Sequence, residues 1–212
     1  MEKSTTELTK EYIKEHPDIK NCLKKKLINY SSLARLISKD LKIEKKTSKE
    51  AILIAARRFY SEVKTEVNQE KKIKELLKNS ELEIKNKMSV LIIEKGVNFE
   101  FLDEIQKKIR KDAGAFYILE GSHNFTIITQ EKYAELITER TEKHLLKESK
   151  GMVLLNFNTA CEIEGIRGVL SYLTSLFAEN GVNIVECISC WTDNIFVIAS
   201  QDLNKAINFL RF

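Results

Sequence analysis

The sequence predicts an α+β protein in which a basic, all-helical head precedes two copies of one unit, each with helices laid on one face of an antiparallel sheet. Three observations carry this prediction. Apolar residues recur at helical spacing through the head, the period shortens to that of strands from Glu81, and the order strand, helix, strand, strand, helix is met twice. The expected division is therefore 1–79 for the head, 80–150 for the first unit and 151–212 for the second.

A chain of 212 residues that is 43% hydrophobic and 31% charged has enough apolar material to fold and no segment that demands disorder. No apolar run approaches the roughly 20 residues that span a bilayer, and Met1 to Thr6 lacks the hydrophobic stretch of a signal peptide. Cys22, Cys161, Cys187 and Cys190 are too few and too irregularly spaced for a disulfide scaffold, so a reducing, cytoplasmic setting without membrane contact is expected. The net charge of +4 is uneven: residues 1–80 hold 20 Lys and Arg against 12 Asp and Glu, 81–150 hold 12 against 13, and 151–212 hold 3 against 6. An anionic partner suits the head alone.

In the head, a polar helix near Leu8–Glu15 is expected to be capped at Thr5 or Thr6, and Pro17 opens the next helix, which runs to Lys26. Asn29 or Ser31 can cap a third, whose Leu33, Leu36, Ile37 and Leu41 fall on one face while Arg35, Ser38, Lys39 and Lys42 take the other. Thr47 and Glu50 have capping-box spacing ahead of a fourth helix with the stripe Ile52, Ala55, Ala56, Phe59 and Val63. A charged helix from Asn68 to about Lys78 follows.

In the first unit, Leu82–Ile84 and Met88–Ile93 read as strands, Phe99–Asp112 as a helix, Ala115–Leu119 with Phe125–Thr129 as a hairpin, and Glu131–Leu146 as a second helix. The second unit repeats the order with Met152–Thr159, Arg167–Asn180, the hairpin Val182–Cys190 and Ile195–Ala199 turning at Thr192–Asn194, and Leu203–Arg211 capped by Asp202.

Glu164-Gly165-Ile166-Arg167-Gly168-Val169-Leu170, followed by Leu176-Phe177-Ala178-Glu179-Asn180-Gly181-Val182-Asn183-Ile184, resembles the signature of ACT domains, and the tail Ile195–Ile198 with Asp202, Leu203, Ala206 and Leu210 resembles the end of one. With Asn29-Tyr30-Ser31-Ser32-Leu33-Ala34-Arg35-Leu36-Ile37 in the head, the chain is similar to archaeal proteins described as predicted regulators of amino-acid metabolism, and its paired units resemble the regulatory part of aspartokinases. The resemblance implies two ferredoxin-like ACT units, an amino-acid effector, a homodimer, and no catalysis or cofactor. Arg167 stands where such domains usually carry Pro, and the second unit ends without a fourth strand. Leu82–Lys85 or Met88–Ile93 is expected to fill that place.

An effector with a carboxylate and an ammonium needs a partner for each charge. The first turn of the Arg167–Asn180 helix offers unpaired N–H groups, Glu162 or Glu164 a carboxylate, and Asn183 an amide; Gly165, Ile166, Arg167, Gly168 and Val169 complete the loop. A plainer reading, in which the glycines only let the chain turn, stays open. The Cys187-x-x-Cys190 pair lies in an expected strand, where an offset of three points the thiols to opposite faces, so packing is expected and a metal or redox site is not. His16, His123 and His144 have no spacing that suggests ligands or a base.

The second and third helices have helix-turn-helix proportions. Ser31, Ser32, Arg35, Ser38, Lys39 and Lys42 would meet DNA from the latter, with Lys24, Lys25 and Lys26 on phosphates. Packing or protein contact is the other reading of this basic surface.

Overall fold

Helices in the N-terminal unit begin wherever a short polar side chain can take up the free N–H groups of a first turn. The computed structural model describes residues 3–64, 67–97 and 100–212, and the chain divides into two units, Met1–Lys72 and Ile73–Phe212. Helix α1 (Thr5–Glu15) is capped by Ser4, which forms a capping box with Glu7 and so starts the helix ahead of the expected Thr5 or Thr6. Pro17 occupies the first position of α2 (Pro17–Lys24), and Asn29 Oδ1 accepts from Ser32 N at 3.0 Å to open α3 (Tyr30–Asp40). Helix α4 (Lys49–Val63) is capped by Ser48, not by Thr47, whose hydroxyl instead meets that of Thr5 at 3.1 Å.

The α4 stripe Ile52, Ala55, Ala56, Phe59 and Val63 is buried as its spacing predicts, and all but Ala55 pack with Tyr12, Ile13, Leu23, Leu33, Ala34 and Ile37. On α3 the buried positions are 33, 34, 37 and 38, a stripe rotated from the expected one. Leu36 is consequently 42% exposed and Ser38 is buried.

Helix α5 (Val67–Lys78) ends in the second unit, because Ile73, Leu76 and Leu77 enter the core of the sheet. The division therefore falls after Lys72, whereas the sequence reading places it after residue 79.

One six-stranded antiparallel sheet organises the second unit, built from β1 (Glu81–Glu94), β2 (Phe116–Glu120), β3 (Asn124–Gln130), β4 (Leu145–Asn158), β5 (Ile184–Cys190) and β6 (Asp193–Ala199) in the order β2-β3-β1-β4-β6-β5. Four helices complete it: α6 (Glu100–Lys111), α7 (Glu131–Thr141), α8 (Val169–Glu179) and α9 (Leu203–Phe209). The expected start of α6, Phe99, lies outside the described residues.

Two expected strands in 81–94 are one long strand. Its first part, Glu81–Lys85, pairs with Leu154–Asn158 and fills the place of the missing fourth strand; its second part, from Met88, pairs with β3 and with the start of β4. Leu145 and Leu146, expected to close a helix, belong to β4. The pairing shifts register on either side of Met88, and the residue just before Met88, Lys87, has φ 56° while the residue just before Met152, Gly151, has φ 67°. Each central strand thus carries a bulge at its join, which bends it and increases its twist.

Leu91, Ile93 and Ile127 pack against α6 and α7 in one cluster, and Val153, Leu155, Phe157, Phe196 and Ile198 pack against α5, α8 and α9 in another. The opposite face is buried too. Met88, Val90 and Ile128 of the first half join Leu154, Ile195 and Val197 of the second in a single cluster, none more than 2% exposed. Tyr117 and Leu119 of β2 and Val185 and Ile188 of β5 pack against the same cluster, so side chains of the two halves meet across this face.

The bulges generate a stability prediction. Left-handed backbone costs a residue with a Cβ about 1–2 kcal/mol relative to glycine. Gly151→Ala is expected to destabilise by about 1 kcal/mol, whereas Lys87→Gly, which relieves strain but loosens the unfolded chain, is expected to be neutral or mildly stabilising. Urea denaturation of the two variants checks this, and equal losses from both would contradict the bulge geometry.

Candidate functional site

The chain leaves β4 at Asn158, turns through the short 3-10 segment Cys161–Gly165 and enters α8 at Gly168. Gly168 has φ 88°, a value that side chains resist, and it gives α8 no side-chain cap. Val169, Leu170 and Ser171, whose N–H groups have no intrahelical acceptor, line a cleft of about 380 Å³. Glu164, Ile166 and Ile163 form the loop side of this cleft, and Ser189, Trp191 and Asn194 come from the β5–β6 hairpin.

Asn194 is fully buried. Phe157 and Ser189 are its cross-strand partners, which places it on the helix-covered face. Its Oδ1 lies 3.2 Å from Ser189 Oγ, from which it accepts, and its Nδ2 has no protein acceptor. A buried amide donor left unpaired costs about 1–3 kcal/mol. Asn194 lines the same cleft as the first turn of α8, and Glu164 supplies the one acidic group of the lining.

Trp191 forms the rim. It is 66% exposed and has φ 51°, a backbone conformation unusual for a bulky side chain. The tight turn of the hairpin is thus Trp191-Thr192, one residue before the expected Thr192–Asn194.

Of the residues expected to hold a ligand, Glu164, Ile166, Gly168 and Val169 line the cleft. Arg167, Gly165, Glu162 and Asn183 do not. Glu162 instead takes a weak contact from Cys161 Sγ at 3.8 Å, and Asn183 is exposed at the other end of α8, before β5 begins. The cleft lies within the second half, at one end of a sheet that both halves share. Asn194, Ser189, Trp191, Leu170 and Ser171 escaped that reading. Asn194 had a signal: it is the polar residue in register with Phe196 and Ile198 on the inward face of β6.

Among the described residues of the first half, the matching place on the sheet lacks the amide. Ile93 pairs with Phe125 as Phe157 pairs with Asn194, and Glu120 pairs with Phe125 as Ser189 pairs with Asn194. Phenylalanine thus replaces the amide. Lys95 Nζ lies 5.6 Å from the centre of its ring and is bonded to Glu120 at 2.7 Å.

Residues expected on DNA divide into two sets. Ser31, Ser32, Arg35, Lys39 and Lys42 are exposed on or just beyond α3, with Arg35 donating to Ser32 Oγ at 3.0 Å. Ser38 is buried, contrary to expectation, because the α3 stripe is rotated, and Lys24 is half-buried; Lys25 and Lys26 are exposed, the first 3.7 Å from Glu70 and the second 5.6 Å from the Tyr60 ring centre.

Cys187 and Cys190 are free and exposed. Desolvation of the Cys187 sulfur, with the Glu186 carboxylate beside it, pushes that thiol up from its ordinary range, which disfavours the reactive thiolate. Among the described residues no group of three His, Cys, Asp or Glu could hold a metal, and no described helix is long and apolar enough to cross a membrane.

The orphan amide generates a second prediction. Replacing an unpaired buried polar group by an apolar one of similar size is nearly neutral or stabilising. Asn194→Leu is expected to unfold within about 1 kcal/mol of the parent or above it. A loss of several kcal/mol in thermal or urea denaturation would show that Asn194 is held by the fold itself.

No protein-family model and no curated protein matches the chain. Solved structures do resemble it. The aspartate kinase of Clostridium acetobutylicum aligns with TM-score 0.49 and 14% identity over 61% of this chain and 33% of that one. The regulatory subunit of aspartate kinase from Thermus thermophilus aligns with TM-score 0.48 and 9% identity over 62% of this chain and 94% of that subunit. Aspartokinase III of E. coli, in complex with aspartate and ADP, aligns with TM-score 0.47 and 10% identity, and here too the chain spans only 33% of the protein it is similar to.

Proposed function

We propose that this chain is a non-catalytic, cytoplasmic regulator of amino-acid metabolism. Its sheet unit comprises two ferredoxin-like ACT units, and the second of them senses an amino acid in the cleft at the start of α8. The observation that carries this reading is the convergence of the unpaired Asn194 amide and the uncapped first turn of α8 opposite Glu164. Main-chain N–H groups and the amide take the effector's carboxylate, and Glu164 takes its ammonium. No nucleophile is needed for this task.

The helical head conveys the signal to DNA, with Ser31, Ser32, Arg35, Lys39 and Lys42 on its exposed helix facing the duplex, and a homodimer couples the two events. A second reading makes the chain a regulatory subunit that docks on an amino-acid biosynthetic enzyme. The exposure of Leu36 in the midst of that basic face favours it, since a bare leucine suits a protein surface better than a phosphate backbone.

Two measurements test these readings. Thermal unfolding in the presence of each of the twenty amino acids is expected to show a rise in melting temperature with one or a small group of them, and Asn194→Leu is expected to lose that rise. A flat profile across the whole set would remove the sensor. For the head, retardation of random duplex at low salt is expected to weaken by about tenfold or more at moderate salt and to diminish in Arg35→Ala; no retardation at low salt would favour the docking subunit.

A further inference from the structure

Resting on the amino-acid reading of the cleft and deepening it, we infer that the effector is an α-amino acid with an apolar side chain, bound at one site per chain. The chemistry of the walls carries the first part. Once Glu164 is matched to the ammonium and the α8 N–H groups with Asn194 to the carboxylate, the remaining polar lining is the two serines, Ser171 and Ser189, neither of them charged. Ile166, Leu170 and Trp191 are what the rest of the effector meets. A charged side chain placed there would lose its hydration with no opposite charge in the lining to replace it.

Trp191 adds an independent observation. Packing does not explain it, because the indole is 66% exposed, and its φ of 51° is a conformation that a glycine would adopt without strain. Leu170, which lines the same cleft, is 38% exposed although Val169, Leu173 and Phe177 of its helix are buried. Two large apolar side chains held open at one mouth make a surface for an alkyl or aromatic group.

The number of sites follows from the sheet register. At the place of Asn194 the first half has Phe125, and at the place of Ser189 it has Glu120, already bonded to Lys95. Among the described residues the amide donor has no counterpart on that strand, and a carboxylate stands where an effector's own carboxylate would approach. That half therefore keeps its architecture without the recognition chemistry.

Trp191 is the chain's only tryptophan, so its emission reports on this cleft alone. Titration of the full chain with leucine, phenylalanine, lysine and aspartate is expected to give a saturable change with leucine or phenylalanine, at an affinity roughly tenfold or more above that for lysine or aspartate. Calorimetry is expected to give one bound amino acid per chain. Isoamylamine and 4-methylpentanoate, which each lack one charge of leucine, are expected not to bind. Trp191→Ala, a surface change, is expected to weaken leucine by about tenfold when followed by calorimetry.

Tighter binding of lysine or aspartate, still abolished by Asn194→Leu, would overturn the apolar assignment and leave the sensor standing. Two bound molecules per chain would overturn the single site, and unchanged leucine affinity in Trp191→Ala would overturn the tryptophan wall. Absence of binding by all four, together with a flat melting profile over the twenty, would remove the sensor and this inference with it.

Discussion

The pairing of β1 with β4 is the constraint on which the second unit depends. Both strands run 14 residues, each contributes to both halves, and the start of β1 occupies the outer position of the second half's four strands as the start of β4 does for the first. Neither half is complete without a strand from the other. A polypeptide that lost this pairing would expose two sheet edges at once, with every N–H and C=O along them unpaired. Cooperativity between the halves is thus built into the covalent order of strands.

Bulges at Lys87 and Gly151 complete that arrangement. They occupy equivalent places in the repeat, and they turn both central strands where the halves meet. The consequence is burial on both faces of the sheet: helices cover one, and the two halves contribute to a common cluster on the other. This cluster explains why the strands are not simple alternations. Val90-Leu91-Ile92-Ile93, Met152-Val153-Leu154-Leu155 and Ile195-Phe196-Val197-Ile198 are unbroken apolar runs, and such runs belong to strands without a wet side.

Local signals were legible and long-range ones were not. Helical periodicity located α1, α3, α4, α7 and α8, and the register of the α4 stripe was read residue by residue. The caps went astray by one or two positions because adjacent Ser and Thr residues compete for the same N–H groups, and only the local turn decides which wins. Strand continuity across Asn86 and Lys87 and across Lys150 and Gly151 was hidden, since polar residues and a glycine in a strand look like its end. The site was half visible for a similar reason. Glu164, Ile166, Gly168 and Val169 are contiguous and carry a pattern, whereas Ser189, Trp191 and Asn194 reach the cleft only through the β5–β6 register.

Where the chain tolerates local cost is itself informative. Gly168 at φ 88°, Trp191 at φ 51° and the unpaired amide of Asn194 all lie around one cleft. The positive φ of Trp191 and the orphan amide are each of a kind that costs on the order of 1 kcal/mol, whereas the glycine bears no such cost, and a domain's whole stability is only about 5–15 kcal/mol. In the first half the matching position holds Phe125, a half-buried ring 5.6 Å from Lys95 Nζ, and Lys95 is bonded to Glu120 at 2.7 Å. In the proposed reading the effector uses this difference, pairing with the amide that the second half has at Asn194 and the first half replaces with Phe125.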